Sequence, residues 1–549
     1  MIMEFMDIIK TPQVENVTFT MVGERKSVSG TLCLTSHQLI FFDKENKKDE
    51  LWIFISSIDS LEKKITDSSL VVNIRCKNFR NIQLTIGDIT KASDAFESIE
   101  KLVKISEDEI DKHHAFYYNP NFAITEDGWK SFNLETEYAR LTAGSRDFRV
   151  LEVNKGFKIC SSYPERCLVP SSVNENIICK SAKFRYLGRF PIVSYIYHAK
   201  KAVLMRSSQP LSGPNELRCK EDEKLLNAAI FDRKRCYIVD TRLTNYATNI
   251  KNKGGGVEPS CYYPQWRRIH RGIENYNSLK DSLTKLVEAT SDFDCSSSAW
   301  LSRVSSSNWL NHVRSILNTA CFVIGYLFDK GATVLVHGSD GMDATLQITS
   351  LAQIMIDQDC RTIRGFQALI EREWLLGGHP FSSRCSKLCN TQDISTSPVF
   401  LLFLDCVWQL QQQHPCFFEF NEEFLRVLGH KAYSSEFGTF LYDSHAQRLQ
   451  AQLPKRTCSL WSYINQATVI NDYINPSYEM RKQIIRPSTV PHCIKLWLSM
   501  YCPWLGINEI EKRKVTTLRD ISNANLTLKQ RKEVLQKKLL ELKDEKSMK

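Results

Sequence analysis

The feature that most constrains the fold is an apolar strand that runs into a glycine-containing loop and then into a helix. Residues 334–336 are apolar and residues 337–345 are mostly small or polar. A helical pattern follows, with apolar residues at Leu346, Ile348, Leu351 and Ile354. Backbone N–H groups converge where such a loop meets a helix N-terminus, so the junction is a natural cradle for an anion. Strand-like and helix-like segments alternate around it, and we therefore predict an α/β domain over residues 121–503.

The first hundred residues differ from this domain, because their short β-type runs are separated by polar turns. The runs occupy residues 30–35, 39–42, 52–55, 70–74 and 79–86. A helix is predicted next, with Ala95, Phe96, Ile99, Leu102 and Val103 on one face. Residues 1–105 are thus predicted to form a small antiparallel sandwich or barrel with a helix, in the outline of a pleckstrin-homology-like fold; an unspecified small β domain is the alternative. Residues 106–120 are predicted to be a linker.

The last segment, residues 504–549, carries a heptad pattern. Its predicted seam is apolar at Leu518, Ile521, Leu528, Leu535, Leu539 and Leu542, with Asn525 and Lys532 at the remaining positions. A polar seam residue such as Asn525 lowers stability but can fix register and the number of helices. We predict a coiled coil; a solvated basic helix or frayed tail is the alternative.

Composition excludes several classes of protein. The 549-residue chain has a formal net charge of +10 and no RNA-recognition, zinc-finger or basic-zipper signature, so nucleic acid is not an expected partner. The 18 cysteines are scattered, which predicts free thiols and neither a metal site nor a cofactor.

The N-terminus lacks a signal-peptide pattern, and the most apolar stretch, residues 398–408, is too short to span a bilayer. We expect a cytoplasmic protein whose membrane contact is peripheral.

The loop at residues 337–345 resembles the signature of the myotubularin family of phosphoinositide 3-phosphatases, His-Cys-Ser-Asp-Gly-Trp-Asp-Arg-Thr. The matching residues are His337, Ser339, Asp340, Gly341, Asp343 and Thr345. Gly338, Met342 and Ala344 replace the Cys, Trp and Arg of the signature. Further family-like segments are residues 188–191, 206–210, 240–242, 249–258, 362–366, 371–374, 378–381, 397–400 and 403–409. The resemblance covers roughly residues 120–500 and implies a PH-GRAM domain, a cysteine-phosphatase-like α/β domain and a C-terminal coiled coil.

Two of these replacements predict that the chain is not an enzyme. The resemblance implies that the family's Cys thiolate attacks phosphorus and that its Arg binds the phosphoryl oxygens, and neither Gly338 nor Ala344 can do so. Asp343 matches the family's general acid, and with Asp340 it leaves the loop net acidic in side-chain charge. A residual hydrolase using Ser339, His337 or Asp343 is the disfavoured alternative, since His337 is interpreted as structural support for the loop.

The resemblance implies a regulatory pseudophosphatase. Such a chain would bind an active myotubularin-related phosphatase through its coiled coil and regulate that enzyme's activity, stability or localisation on endomembranes. Pairing with a second copy of itself is the alternative oligomer, and the sequence does not identify the active partner. The alternative function is a membrane adaptor that binds a phosphoinositide without cleaving it; against this stands the missing positive charge at Ala344.

Overall fold

A computed structural model describes residues 8–23, 27–44, 50–231, 236–251, 254–292, 295–388 and 395–547. The N-terminal domain is one antiparallel sheet of seven strands in the order β4-β3-β2-β1-β7-β6-β5. The strands are β1 (Gln13–Met21), β2 (Ser27–Leu34), β3 (Gln38–Asp43), β4 (Glu50–Phe54), β5 (Ile58–Ile65), β6 (Leu70–Cys76) and β7 (Asn81–Ile86). Helix α1 (Ile89–Asp108) follows them, so the predicted boundary at residue 105 falls inside a helix.

The core of this domain forms between the sheet and α1. Alternate side chains of β2, β6 and β7 point inward, as the buried residues Leu70, Val72 and Ile74 of β6 illustrate. The predicted apolar face of α1, which includes Ala95, Phe96, Ile99, Leu102 and Val103, packs into the same cluster. The predicted small barrel with a closing helix is therefore confirmed in outline.

Phe79 is a correction to the strand predicted over residues 79–86. It lies in the turn before β7 with φ +65°, a left-handed backbone that no regular strand contains. Its ring packs edge-on against Tyr501 at a centroid distance of 5.2 Å, and it joins the core of the second domain. Asp59 adds to the same junction by accepting a 2.6 Å hydrogen bond from the Leu388 backbone N–H. The two domains thus share apolar and polar contacts.

The second domain is built on a five-stranded sheet in the order β10-β11-β14-β12-β13. Its strands, with the small hairpin β8–β9, are β8 (Phe148–Leu151), β9 (Cys167–Pro170), β10 (Ile192–Tyr197), β11 (Ala202–Ser207), β12 (Cys236–Asp240), β13 (Trp266–His270) and β14 (Val334–His337). Strands β11, β14, β12 and β13 are parallel, and β10 is antiparallel to β11. Neighbouring residues of β14 pack in different apolar clusters on the two faces of the sheet. Val334 and Val336 belong to one cluster, and Leu335 belongs to the other. The sheet is therefore buried on both faces, as parallel sheets are.

Helices cover both faces of this sheet and extend beyond it. They are α2 (Leu134–Thr142), α3 (Glu175–Phe184), α4 (Lys220–Asn227), α5 (Thr244–Lys251), α6 (Tyr276–Ser291), α7 (Ser297–Ser306), α8 (Trp309–Ile324), α9 (Ala344–Ile356), α10 (Ile363–Leu369), α11 (Phe381–Arg384), α12 (Val399–Gln413), α13 (Glu422–Tyr433), α14 (His445–Gln450), α15 (Leu453–Arg456), α16 (Leu460–Ile464), α17 (Ala467–Tyr473) and α18 (Leu498–Tyr501). The predicted α/β domain is thereby confirmed.

The chain ends in one long helix, α19 (Ile507–Ser547). Four apolar seam residues have solvent-exposed fractions of 46% for Leu518, 52% for Ile521, 62% for Leu528 and 57% for Leu535. Asn525 and Lys532 are exposed as well, while the side chains of Leu539 and Leu542 lie outside the described part. The helix is as predicted, and its pairing in a coiled coil stays a prediction. Within the described residues, no helix is long and apolar enough to cross a membrane.

Candidate functional site

The signature loop lies at the carboxyl edge of the central strands. Strand β14 ends at His337 and helix α9 begins at Ala344, so the loop joins a strand to a helix N-terminus as predicted. His337 is in register with Ser207 of β11 and Asp240 of β12. Ligands of open α/β sheets bind beyond the carboxyl ends of the strands, and the loop occupies this position.

His337 is held below the loop by a buried charge network. Its Nε2 is 3.2 Å from Glu258 Oε2 and its Nδ1 is 3.3 Å from the Gly338 carbonyl oxygen, and the side chain is fully buried. Glu258 also accepts a 2.6 Å hydrogen bond from Arg185 Nη1. Burial opposes ionisation of Glu258, but His337 and Arg185 outweigh it and hold the pKa of this carboxyl below its usual range. Both nitrogens of His337 are therefore engaged in supporting the loop.

Gly338 lies between two threonine hydroxyls. A Cβ at this position would lie 3.1 Å from Thr241 Oγ1 and 3.3 Å from Thr345 Oγ1. Thr241 Oγ1 donates to the His337 carbonyl oxygen at 3.1 Å, whereas the buried Thr345 Oγ1 has no hydrogen-bond partner. Gly341 has φ +74°, and a Cβ there would lie 2.5 Å from the Ser207 carbonyl oxygen, so only glycine fits. Backbone crowds the loop at Gly341, whereas at Gly338 a side chain would meet only two threonine hydroxyls, which would have to shift by a few tenths of an ångström.

The two loop carboxyls are in different electrostatic states. Asp343 accepts hydrogen bonds from Arg384 Nη2 at 2.8 Å and Nε at 3.1 Å, and it lies 3.4 Å from His379 Nδ1. Although burial opposes ionisation, Arg384 and His379 hold the pKa of Asp343 below its usual range. Burial and the nearby Asp343 charge instead raise the pKa of Asp340, whose Oδ1 accepts from the Met342 N–H at 2.9 Å. Asp343 is thus an ion-paired carboxylate, whereas the pKa of Asp340 lies above its usual range.

Three arginines around the loop already form hydrogen bonds with groups of the protein. Arg189 Nη2 donates to the Gly341 and Gly377 carbonyl oxygens at 2.9 and 3.0 Å. Arg242 forms hydrogen bonds of 2.9 and 2.7 Å with the two carboxylate oxygens of Asp240. The third, Arg384, is paired with Asp343 as described above. An entering phosphate would have to displace one of these contacts to gain a guanidinium partner.

Sequence reasoning identified the loop but missed Arg384. The predicted net acidity needs correction, because the Arg384 guanidinium neutralises Asp343 from a position 41 residues away in the chain. The only sequence signal near Arg384 is the family-like segment at residues 378–381, which precedes it. A cavity lies beside the loop, and Ser339 and Ala344 line it. Met342 is half-buried.

Comparison with known proteins assigns the chain to a family. A model of the myotubularin-like phosphatase domain matches residues 113–449, and a model of the GRAM domain of MTMR6-9 matches residues 13–103. Myotubularin-related protein 9 of Homo sapiens is 44% identical over 548 residues, covering 100% of this chain and 99% of that protein. Phosphatidylinositol-3-phosphate phosphatase MTMR7 of Homo sapiens is 36% identical over 512 residues, covering 90% of this chain and 76% of that protein. The chain, with its GRAM and phosphatase-like domains, therefore belongs to the myotubularin family.

Proposed function

We propose that this protein is a non-catalytic member of the myotubularin family that binds an active member and regulates it. The observation that carries the proposal is the glycine at position 338, which places no side chain between the hydroxyls of Thr241 and Thr345. Covalent phosphoryl transfer needs a nucleophile at this point, and no backbone atom can replace a thiolate. The missing guanidinium at Ala344 removes the second requirement, a donor that stabilises the transferring phosphoryl group.

The remaining polar residues do not supply a substitute mechanism. Ser339 would need a general base, but both nitrogens of His337 already contact Glu258 and the Gly338 carbonyl. Asp343 is held as an ion-paired carboxylate by Arg384, so it is a poor proton donor for a leaving group. Loss of groups that act as a unit lowers rates by ~10⁴ or more.

Helix α19 is the element we assign to partner binding. The four apolar seam residues whose side chains the structure describes are about half exposed, although such side chains favour burial against a second helix. MTMR7, a relative named for its phosphatase activity, is 36% identical over 90% of this chain, and we take a member of the same family as the proposed partner. Asn525 sits within the seam, where a polar residue can select register and partner at some loss of stability.

Substitution of the seam tests this proposal. We expect Leu528→Glu with Leu535→Glu to abolish copurification of an active myotubularin from cells, because two carboxylates would be buried in the helix interface. The matched control is Thr527→Glu with Gln530→Glu, which adds the same charge to exposed positions outside the seam. Partners are identified by mass spectrometry, and phosphate release by the eluate is measured. Capture of the same phosphatase by the seam variant, or of none by the native chain, would reject the proposal.

A second candidate function, lipid binding by the GRAM domain, is favoured by the tip of the β5–β6 hairpin. Ile65 is 66% exposed there, and the neighbouring Lys63 and Lys64 are exposed too. An apolar tip beside cations suits the surface of an anionic membrane. We expect Ile65→Glu to lower sedimentation with vesicles containing phosphatidylinositol 3-phosphate several-fold. Equal binding to vesicles with and without that headgroup would end the phosphoinositide interpretation.

A further inference from the structure

Strand β13 is an edge of the central sheet of the second domain, since β12 is its single neighbour among the strands that the structure describes. The Arg271 N–H, which follows β13, donates to the Asp240 carbonyl oxygen of β12 at 2.8 Å. Because successive residues of a strand direct their backbone groups to opposite sides, the N–H and C=O groups of Arg268 and His270 point away from β12. A row of such groups at a free edge is a template for one more strand.

The side chains of this edge are exposed and basic. Arg267, Arg268 and His270 are solvent-exposed, so neither face of β13 is covered at these positions. The Arg271 guanidinium lies 3.9 Å from the centre of the Phe322 ring on α8. If a second copy of β13 paired with this edge, arginines of the two strands would face one another, which is destabilising. The edge therefore disfavours pairing with itself and favours a strand that carries negative charge.

An open groove lies along one face of the edge. Its volume is about 560 Å³. The residues that line it come from β12, β13 and the loop before β13, and they include Ile238, Pro259, Pro264, Trp266 and Arg268. None of the described residues that line the groove also lines the cavity beside the signature loop. Side chains of an added strand alternate between the two faces of the sheet, so every second one would enter the groove.

The arginines of the edge are not neutralised by the carboxyl groups around them. Within the described part of the chain, Arg267 forms no ion pair. Arg268 Nη1 lies 3.6 Å from Asp240 Oδ2, but a second arginine already pairs with that carboxylate. Two carboxyl groups line the groove, and both already interact with other groups: Glu258 belongs to the buried network below the signature loop, and Glu216 has its own contact. The edge thus carries an excess of positive charge.

We propose that the free edge of β13 binds an extended acidic segment of a partner protein, which adds to the sheet as one further strand. Main-chain hydrogen bonds supply affinity in this mode of recognition, and the alternating side chains supply specificity. The carboxylates of the segment would face Arg267 on one side of the sheet and Arg268 on the other. A nucleic acid or a membrane could use these charges but not the unpaired backbone groups. The site goes beyond the proposed regulatory function, since neither helix α19 nor the signature loop takes part.

The segment is identified by selection from a phage library of random octapeptides on the full-length chain. We expect enrichment of sequences in which Asp or Glu recurs at alternate positions beside β-branched residues. The consensus peptide is then synthesised, and its affinity is measured by fluorescence anisotropy. An oligo(dT) strand and phosphatidylserine vesicles are the comparison probes. Selection without enrichment of acidic residues, or tighter binding of either comparison probe, would overturn the proposal.

A matched pair of variants tests the backbone contact. Arg268→Ala and Arg268→Pro both remove the guanidinium, but only the proline also removes the N–H that faces the free edge. Proline is tolerated at such a position of an edge strand, so β13 should stay paired with β12. We expect Arg268→Pro to bind the consensus peptide about three- to tenfold more weakly than Arg268→Ala, as for loss of one hydrogen bond. Equal affinities of the two variants would exclude strand addition.

A charge reversal tests the electrostatic contact. Arg267→Glu should weaken the consensus peptide at least about tenfold, because it places a carboxylate against an acidic segment. Lys91→Glu makes the same change of charge at an exposed position of α1 and should bind within about twofold of the native chain. Melting curves establish that each variant is folded. Unchanged binding by Arg267→Glu, an equal loss in Lys91→Glu, or self-association of the native chain that Arg268→Pro abolishes would overturn the proposal.

Discussion

The purified chain is expected to release no phosphate from phosphatidylinositol 3-phosphate above the uncatalysed background. Gly338→Cys alone and Ala344→Arg alone should remain at background, because nucleophile and phosphoryl-binding group act as a unit. The double variant should raise the rate by about 10²-fold or more. A Cβ at position 338 would lie 3.1 Å from Thr241 Oγ1 and 3.3 Å from Thr345 Oγ1, so these side chains must shift by a few tenths of an ångström to admit the cysteine. Phosphate release from vesicles measures the outcome.

The matched control for this experiment is Gly338→Ser with Ala344→Arg. It restores the guanidinium and a similar side-chain volume without a thiolate, so it should stay at background. Phosphate release by the native chain that disappears on Asp343→Ala would contradict the non-catalytic interpretation and support a residual hydrolase.

The largest effect on stability is expected from Arg185→Met. Arg185 bonds to Asp222 and Glu258, each at 2.6 Å, and all three side chains are fully buried. Removing the cation leaves two carboxylates in the interior, which typically lowers the free energy of unfolding by about 3–5 kcal/mol. Tyr263 and His337, which contact Asp222 and Glu258, would lose their positions too. The second domain should therefore unfold at a clearly lower temperature in differential scanning calorimetry.

Arg303→Met supplies the comparison for that measurement. Its ion pair with Asp292 is at the surface, with side-chain exposed fractions of 53% and 33%. Exposed pairs contribute about 0–1 kcal/mol, so the transition should shift little. Equal transition temperatures for the two variants would show that the buried network does not stabilise the domain.

Local patterns were sufficient to predict most elements, and long-range contacts explain the errors. The face of α1 and the strand β14 follow from side-chain periodicity, which depends on near neighbours in sequence. Phe79 was assigned to a strand because it opens the β-type run predicted at residues 79–86. Its partner Tyr501 belongs to a distant segment, and no local pattern encodes that contact.

The candidate site was predictable in its residues but not in its electrostatics. The loop at residues 337–345 could be recognised because its members are consecutive in sequence. The pairing of Asp343 with Arg384 depends on how α11 packs. The apolar residues that line the cavity beside the loop come from three separate helices: Leu279 from α6, Ile316 from α8 and Leu402 from α12. Such juxtapositions arise from tertiary packing, which a single sequence does not display.

In the proposed coiled coil, the exposed seam of α19 also makes protein concentration a variable of stability. Half-exposed residues such as Leu528 and Leu535 gain most of their burial from a second helix, and that gain is intermolecular. The folded fraction of α19 then depends on the concentrations of chain and partner through mass action. The melting temperature of the helix should therefore shift with those concentrations. If a cell makes more of this chain than of its proposed partner, the unpaired copies keep an exposed apolar stripe on α19. Surfaces of this kind are selected by the degradation machinery of the cell.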